Sequence, residues 1–140
     1  LNICMKKAIL GLGEELKADD GIGKYVIDRL RGKKSKNLLL HSSVPENAFT
    51  RLRGVDSLII IDAADFSGRP GEIRIVKELK EKERLSTHST SLSNLIKYIK
   101  QSIGIKDITL ILIQAKSLEF GEEMSEEVKE AGEKIVSLLS

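Results

Sequence analysis

The chain is poor in cysteine, proline, histidine and glutamine, with one, two, two and two of them among 140 residues. The lone Cys4 can neither close an internal disulfide nor build a thiolate cluster, which points to the reducing cytoplasm. Basic and acidic residues, 23 and 21 in number, are interspersed and leave a net charge of +2, so there is no basic stripe to grip nucleic acid and no acidic tail. No apolar run approaches the roughly 20 residues of a membrane helix, and no secretory leader is legible, so no membrane partner is expected. A phosphate-binding Walker loop, a GxSxG elbow and an HExxH helix are all missing. Scarce glutamine beside abundant isoleucine, lysine and glutamate leans toward a heat-adapted host. The sequence opens at Leu1, which suggests either a non-standard start codon or a start at Met5. At this length, with 41% hydrophobic residues, one domain over residues 1–140 and a monomer are expected.

What is present is an alternation of short apolar runs with stretches of helical period, the pattern of a mostly parallel sheet covered on both faces. The expected fold is three-layer α/β/α around a roughly five-stranded twisted sheet. Strands are predicted over Lys7 to Leu12, Asn37 to His41, Ser57 to Ala63 and Ile108 to Gln114, with Glu72 to Val76 as a short antiparallel edge strand. Helices are predicted from Ile22 to Arg31, ended by Gly32, from Pro45 to about Arg53, from Leu92 to Gln101, and from Ser125, as cap, to Leu139. The charged run Lys77 to Arg84 reads as a solvated helical turn.

The stretch GLGEELKADDGIG, Gly11 to Gly23, first suggests a dinucleotide turn. Its third glycine would fall at position 16, which is Leu, and Glu14, Glu15, Asp19 and Asp20 would repel a phosphate. Clustered carboxylates suit a cation instead. In an open α/β sheet the functional crevice lies beyond the carboxyl ends of the strands, where Asp20 follows the first strand and Asp62 is expected to close the third. Asp19 is then free to cap the following helix. His88, in a hydroxyl-rich loop, supplies a candidate third ligand, whereas His41 is read as structural or as a second imidazole at the crevice rim. Asp20, Asp62 and His88 together make an oxygen-biased divalent-metal site with positions left open, and a carboxylate of that site, Asp20 or Asp62, is a candidate to take a proton from water. A phospho-receiver reading uses Asp19, Asp20 and Asp62 with Thr87 and Lys116, but the long gap between Asp62 and Thr87 weighs against it.

In order and spacing these motifs resemble the hydrogenase maturation proteases, and within them the branch that processes the large subunit of hydrogenase 3. The resemblance rests on "GLGEELKADDGIG", on Pro45-Glu46-Asn47, on "LIIIDAADFSGRPGEIRI", on "STHSTSLSNLIKYI" and on "LILIQA". It implies a cytoplasmic endopeptidase that removes a C-terminal extension from the nickel-loaded precursor of a nickel-iron hydrogenase large subunit. It also implies that Asp20, Asp62 and His88 recognise the substrate's nickel, and no cysteine nucleophile. A non-catalytic metal-binding chaperone of the same precursor is the alternative. Three positions depart from the family pattern: Glu14 replaces an Asn, the segment before Pro45 begins His41-Ser42-Ser43 where relatives carry an acid and glycines, and Ala115 replaces a proline.

Overall fold

A computed structural model describes residues 5–77, 84–85 and 89–140. Strand β1 (Lys7–Leu12) leads through a turn into helix α1 (Ile22–Arg31), then to β2 (Leu38–Ser42) and a 3-10 helix over Pro45–Leu52. The sheet continues with β3 (Ser57–Asp65), β4 (Ile73–Val76) and the two-residue β5 (Arg84–Leu85). Helix α2 (Ser89–Tyr98) passes into a π turn over Ile99–Ile103, followed by β6 (Asp107–Gln114) and helix α3 (Glu126–Leu139). The order across the sheet is β2-β1-β3-β6-β4, parallel except for the antiparallel β4 edge, as the apolar pattern led one to expect, and β5 adds a second antiparallel pair on β3.

Side chains alternate across each strand, so the two faces bury different sets. Leu10, Leu12, Leu58, Ile60, Ala64, Leu110 and Leu112 pack under the 3-10 helix and α2, through Leu52, Leu92, Leu95 and Ile99. Ile9, Ile61, Ala63, Ile111 and Ile113 pack under α1 and α3, through Ile22, Val26, Ile27, Leu30, Val128, Ile135 and Val136. Arg29 grips Glu133 of α3 with two hydrogen bonds of 3.0 and 2.6 Å, joined by the Tyr25 hydroxyl at 2.9 Å, and these donors hold the Glu133 carboxyl at about 2. Among the described residues no helix is long and apolar enough to cross a membrane.

Three elements differ from expectation by more than one residue or in helix type. β3 runs to Asp65, because β5 pairs with Ala64 and Asp65 and continues the ladder past the end of β1. The Pro45 segment is a 3-10 helix rather than an α-helix. The helix from Leu92 starts earlier, at Ser89, and closes in a wider turn that ends at Gly104, whose φ of 91° only glycine adopts readily. Gly32 ends α1 as expected, in a right-handed conformation rather than the left-handed one that favours glycine. Of the predicted turn Lys77 to Arg84, residues 78–83 lie outside the described residues, and Arg84 belongs to β5.

The glycines of the first turn serve contact between backbones. A Cβ on Gly11 would stand 2.3 Å from the Gly23 carbonyl oxygen, and one on Gly23 would stand 2.4 Å from the Leu12 oxygen. The start of α1 therefore rests directly on the end of β1. Alanine is intrinsically the better helix former by up to about 1 kcal/mol, so Gly23→Ala separates the two effects. The close approach predicts a loss of about 1–3 kcal/mol in urea unfolding, and a stabilised variant would contradict it.

Candidate functional site

The crevice at the carboxyl ends of β1 and β3 is built by one peptide unit held from both sides. Gly13 leaves β1 with a φ of 120°, and a Cβ there would lie 2.0 Å from the Asp20 carbonyl oxygen. Its amide donates to the Ser42 carbonyl at 3.3 Å, and its carbonyl accepts from His41 Nε2 at 3.2 Å, which requires the proton to be on that nitrogen. The next amide, Glu14 N, donates to Asp20 Oδ2 at 2.9 Å. Asp20 is thus buried and oriented by the turn that "GLGE" makes. His41, one residue before the end of β2, steadies that turn through Gly13; its described bond goes to backbone, in line with a structural role.

Asp19 does not cap α1, which starts at Ile22 after Gly21 and has no side-chain cap. Its carboxylate is fully buried and reaches across to the loop after β6. It accepts the amides of Lys116, Ser117 and Ser125 at 2.7, 3.1 and 2.7 Å, and the Ser125 hydroxyl at 3.0 Å. Ser125 stands at the start of α3 as expected, but its hydroxyl serves this clasp and leaves the helix end without a side-chain cap. Sequence reasoning assigned both residues to local caps because capping is a local signal, whereas the clasp joins residues 106 positions apart.

Asp62 does not end β3. It lies three residues inside the strand, opposite Leu112 of β6, and is wholly buried. Neither carboxylate oxygen has a hydrogen-bond partner among the described residues. Burial first, and the Asp20 charge second, push its carboxyl well above the usual carboxylate range; the Ala63 amide opposes the shift without reaching hydrogen-bond geometry. Strand alternation places Asp62 on the face covered by α2, whose first residue follows His88 in the chain. His88, Thr87 and Cys4 lie outside the described residues. Asp20 and Asp62 are electrostatically coupled neighbours, and among the described residues alone no group of three metal-ligating side chains forms. The Lys116 ammonium, required by a receiver site, pairs instead with Glu127 at 3.0 Å.

Gln114 is a residue whose part in the site was not foreseen beyond its place at the strand end. Its carbonyl oxygen accepts the Phe66 and Gly68 amides at 2.9 and 3.1 Å, shaping the loop after β3, and the only sequence signal is a polar residue closing an apolar run. Ala115 in place of proline is useful here, since its amide donates to the Ala64 carbonyl at 3.0 Å, a bond proline could not make.

The sequence profile of the hydrogenase maturation proteases matches residues 32–140. A Methanocaldococcus jannaschii protein assigned as a hydrogenase maturation protease is 36% identical over 152 residues, covering 99% of this chain and 89% of that one. The solution structure of the endopeptidase HycI from Escherichia coli superposes with a TM-score of 0.82 at 27% identity, covering 96% of this chain and 89% of the other. The crystal structure of the NiFe hydrogenase maturation protease HycI from Thermococcus kodakarensis gives 0.81 at 32% identity, with the same coverage of 96% and 89%.

Two stability measurements follow from the geometry. Removing the clasp acceptor in Asp19→Ala leaves three amides and a hydroxyl without their anion, and should lower the unfolding free energy by at least about 3 kcal/mol. A loss under about 1 kcal/mol would show that the clasp is dispensable. Asp62, with its folded value raised above the ordinary 3.8, contributes its stability fully below that value and loses it as pH rises toward the raised one. In metal-free protein with chelator, Asp62→Asn should therefore match the wild type near pH 4 and gain on it progressively toward neutrality, by urea unfolding across pH. A wild type that gains on the variant over that interval would contradict the burial of a neutral carboxyl.

Proposed function

The chain belongs to the hydrogenase maturation protease family, and on that premise we propose that it is the endopeptidase that removes a C-terminal extension from the nickel-loaded precursor of a nickel-iron hydrogenase large subunit. We place it in the cytoplasm, acting as a monomer. The observation that supports the nickel part of this reading is the pair of Asp62 oxygens, without a hydrogen-bond partner among the described residues, beside Asp20. A fully buried carboxyl without a donor is costly to keep, and one in a coupled pair at the functional end of an α/β sheet is more readily explained by chemistry than by stability.

The nickel is carried by the substrate. Two carboxylates, with the His88 imidazole as third ligand, form a mixed oxygen and nitrogen donor set suited to a divalent transition ion. An arriving cation compensates the charge that burial disfavours, so Asp62 releases its proton to solvent only when the loaded precursor is in place. Asp20, already fixed by the Glu14 amide, acts as an oriented ligand. Asp62, without such a bond among the described residues, then serves as the base that takes a proton from the attacking water and passes it to the leaving amine nitrogen as the peptide bond breaks. Nickel-free precursor leaves Asp62 neutral and the site inactive, which accounts for a protease that cuts after metal insertion.

Incubation with nickel-loaded precursor should shorten the large subunit by its C-terminal segment, read by mass, while nickel-free precursor stays intact. Asp20→Asn and Asp62→Asn should each lower the cleavage rate by about 100-fold or more with an unchanged circular dichroism spectrum. An intact loaded precursor, bound but uncut, would assign the chain to the non-catalytic chaperone class. Full activity in Asp62→Asn would remove the assigned base.

A further inference from the structure

The loops that hold Asp19 and Asp20 also carry the two most exposed of the large apolar side chains among the described residues. Leu16, in the loop after β1, is 68% exposed, and Phe120, in the loop after β6, is 70% exposed. They are held in place by their surroundings. The Gly121 amide donates to the Leu16 carbonyl at 3.0 Å, the Lys17 ammonium stands 5.3 Å from the Phe120 ring centre, and the Asp19 clasp fixes both loops to each other. Burying such side chains is worth about 1.5–3 kcal/mol each, so a rigid ridge of them left in water marks a surface awaiting a partner. It adjoins the crevice through only a few residues of chain, since Leu16 precedes Asp20 by four positions.

Its charge defines the partner further. Residues 13–25 and 115–124 hold seven carboxylates and three lysines, although the whole chain is positive by two. The lysines are engaged: Lys24 with Asp28, Lys116 with Glu127 at 3.0 Å, and Lys17 with the Phe120 ring. Glu119 and Glu123 are exposed and have no ion-pair partner among the described residues. The ridge is therefore apolar at its crest and acidic at its rim, the inverse of an apolar segment flanked by basic residues.

We propose that Leu16 and Phe120 form the docking ridge for the hydrogenase large-subunit precursor, receiving an apolar stretch with basic flanks that lies beside the segment to be cut. This rests on the processing role argued above and adds the surface that selects the substrate. It predicts that recognition is divided, with Asp20 and Asp62 reading the metal and the ridge reading the polypeptide.

The double variant Leu16→Ser with Phe120→Ser, altered only at exposed positions, tests it on the full-length chain and the nickel-loaded precursor. KM should rise by about tenfold or more with kcat within about twofold, and the unfolding midpoint should stay at the wild-type value. Glu119→Lys with Glu123→Lys should also raise KM, and should weaken the dependence of KM on salt. Calorimetric Kd for the uncleaved precursor is measured on the same proteins. A Kd unchanged by the double serine variant overturns the ridge even if the wild type cuts the precursor. A tenfold weaker Kd supports it even if the wild type fails to cut, so the two readings fail separately.

Discussion

A carboxyl group enclosed on the face of a β-sheet with no hydrogen-bond donor among the described residues strongly favours its neutral state, and the arrangement around Asp62 follows from that constraint. As a neutral acid it can sit opposite Leu112 inside the sheet; as an anion it needs a cation or donors that the described surroundings do not provide. Asp20 stands close enough to strengthen the same preference. Asp20 in turn reaches this position because Gly13 lets the chain turn back on itself with a φ of 120° and a space no Cβ could share. The Asp19 clasp anchors the turn to the opposite loop. The elements around β1 thus maintain a coupled acid pair near the carboxyl ends of the strands.

Much of this was legible from residue pattern. The β1 and α1 boundaries follow from an apolar run ended by glycines and from Ile22, Val26, Ile27 and Leu30 on one helical stripe, and both were placed without error. The antiparallel β4 edge was readable from its alternation next to a turn. The site was harder. An aspartate after a long apolar run reads as a strand terminus, because a charged group inside a sheet is improbable on general grounds, and Asp62 violates that rule. Departures from local rules of this kind are expected where function overrides stability.

The clasp and the Gln114 bonds were invisible for a different reason. Periodicity and capping report neighbours within a few residues, while Asp19 meets Lys116, Ser117 and Ser125 only after the sheet has set β1 and β6 parallel on either side of β3, so that the loops after both leave the same end. The four glycines of "GLGEELKADDGIG" carry two meanings. Gly11 and Gly23 allow strand and helix to touch, and Gly13 and its neighbour Glu14 orient Asp20. A glycine pattern that first suggests phosphate binding is better explained by tight backbone packing around a carboxylate.

Membership of the hydrogenase maturation protease family gives this geometry its context. The central claim is that Asp20 and Asp62 jointly receive nickel. Anomalous diffraction at the nickel edge from crystals soaked in a nickel salt tests it most directly. The account predicts one strong peak with a carboxylate oxygen of each residue at about 2.0–2.2 Å. Nickel bound elsewhere, or at Asp20 with both Asp62 oxygens still unliganded, would contradict it.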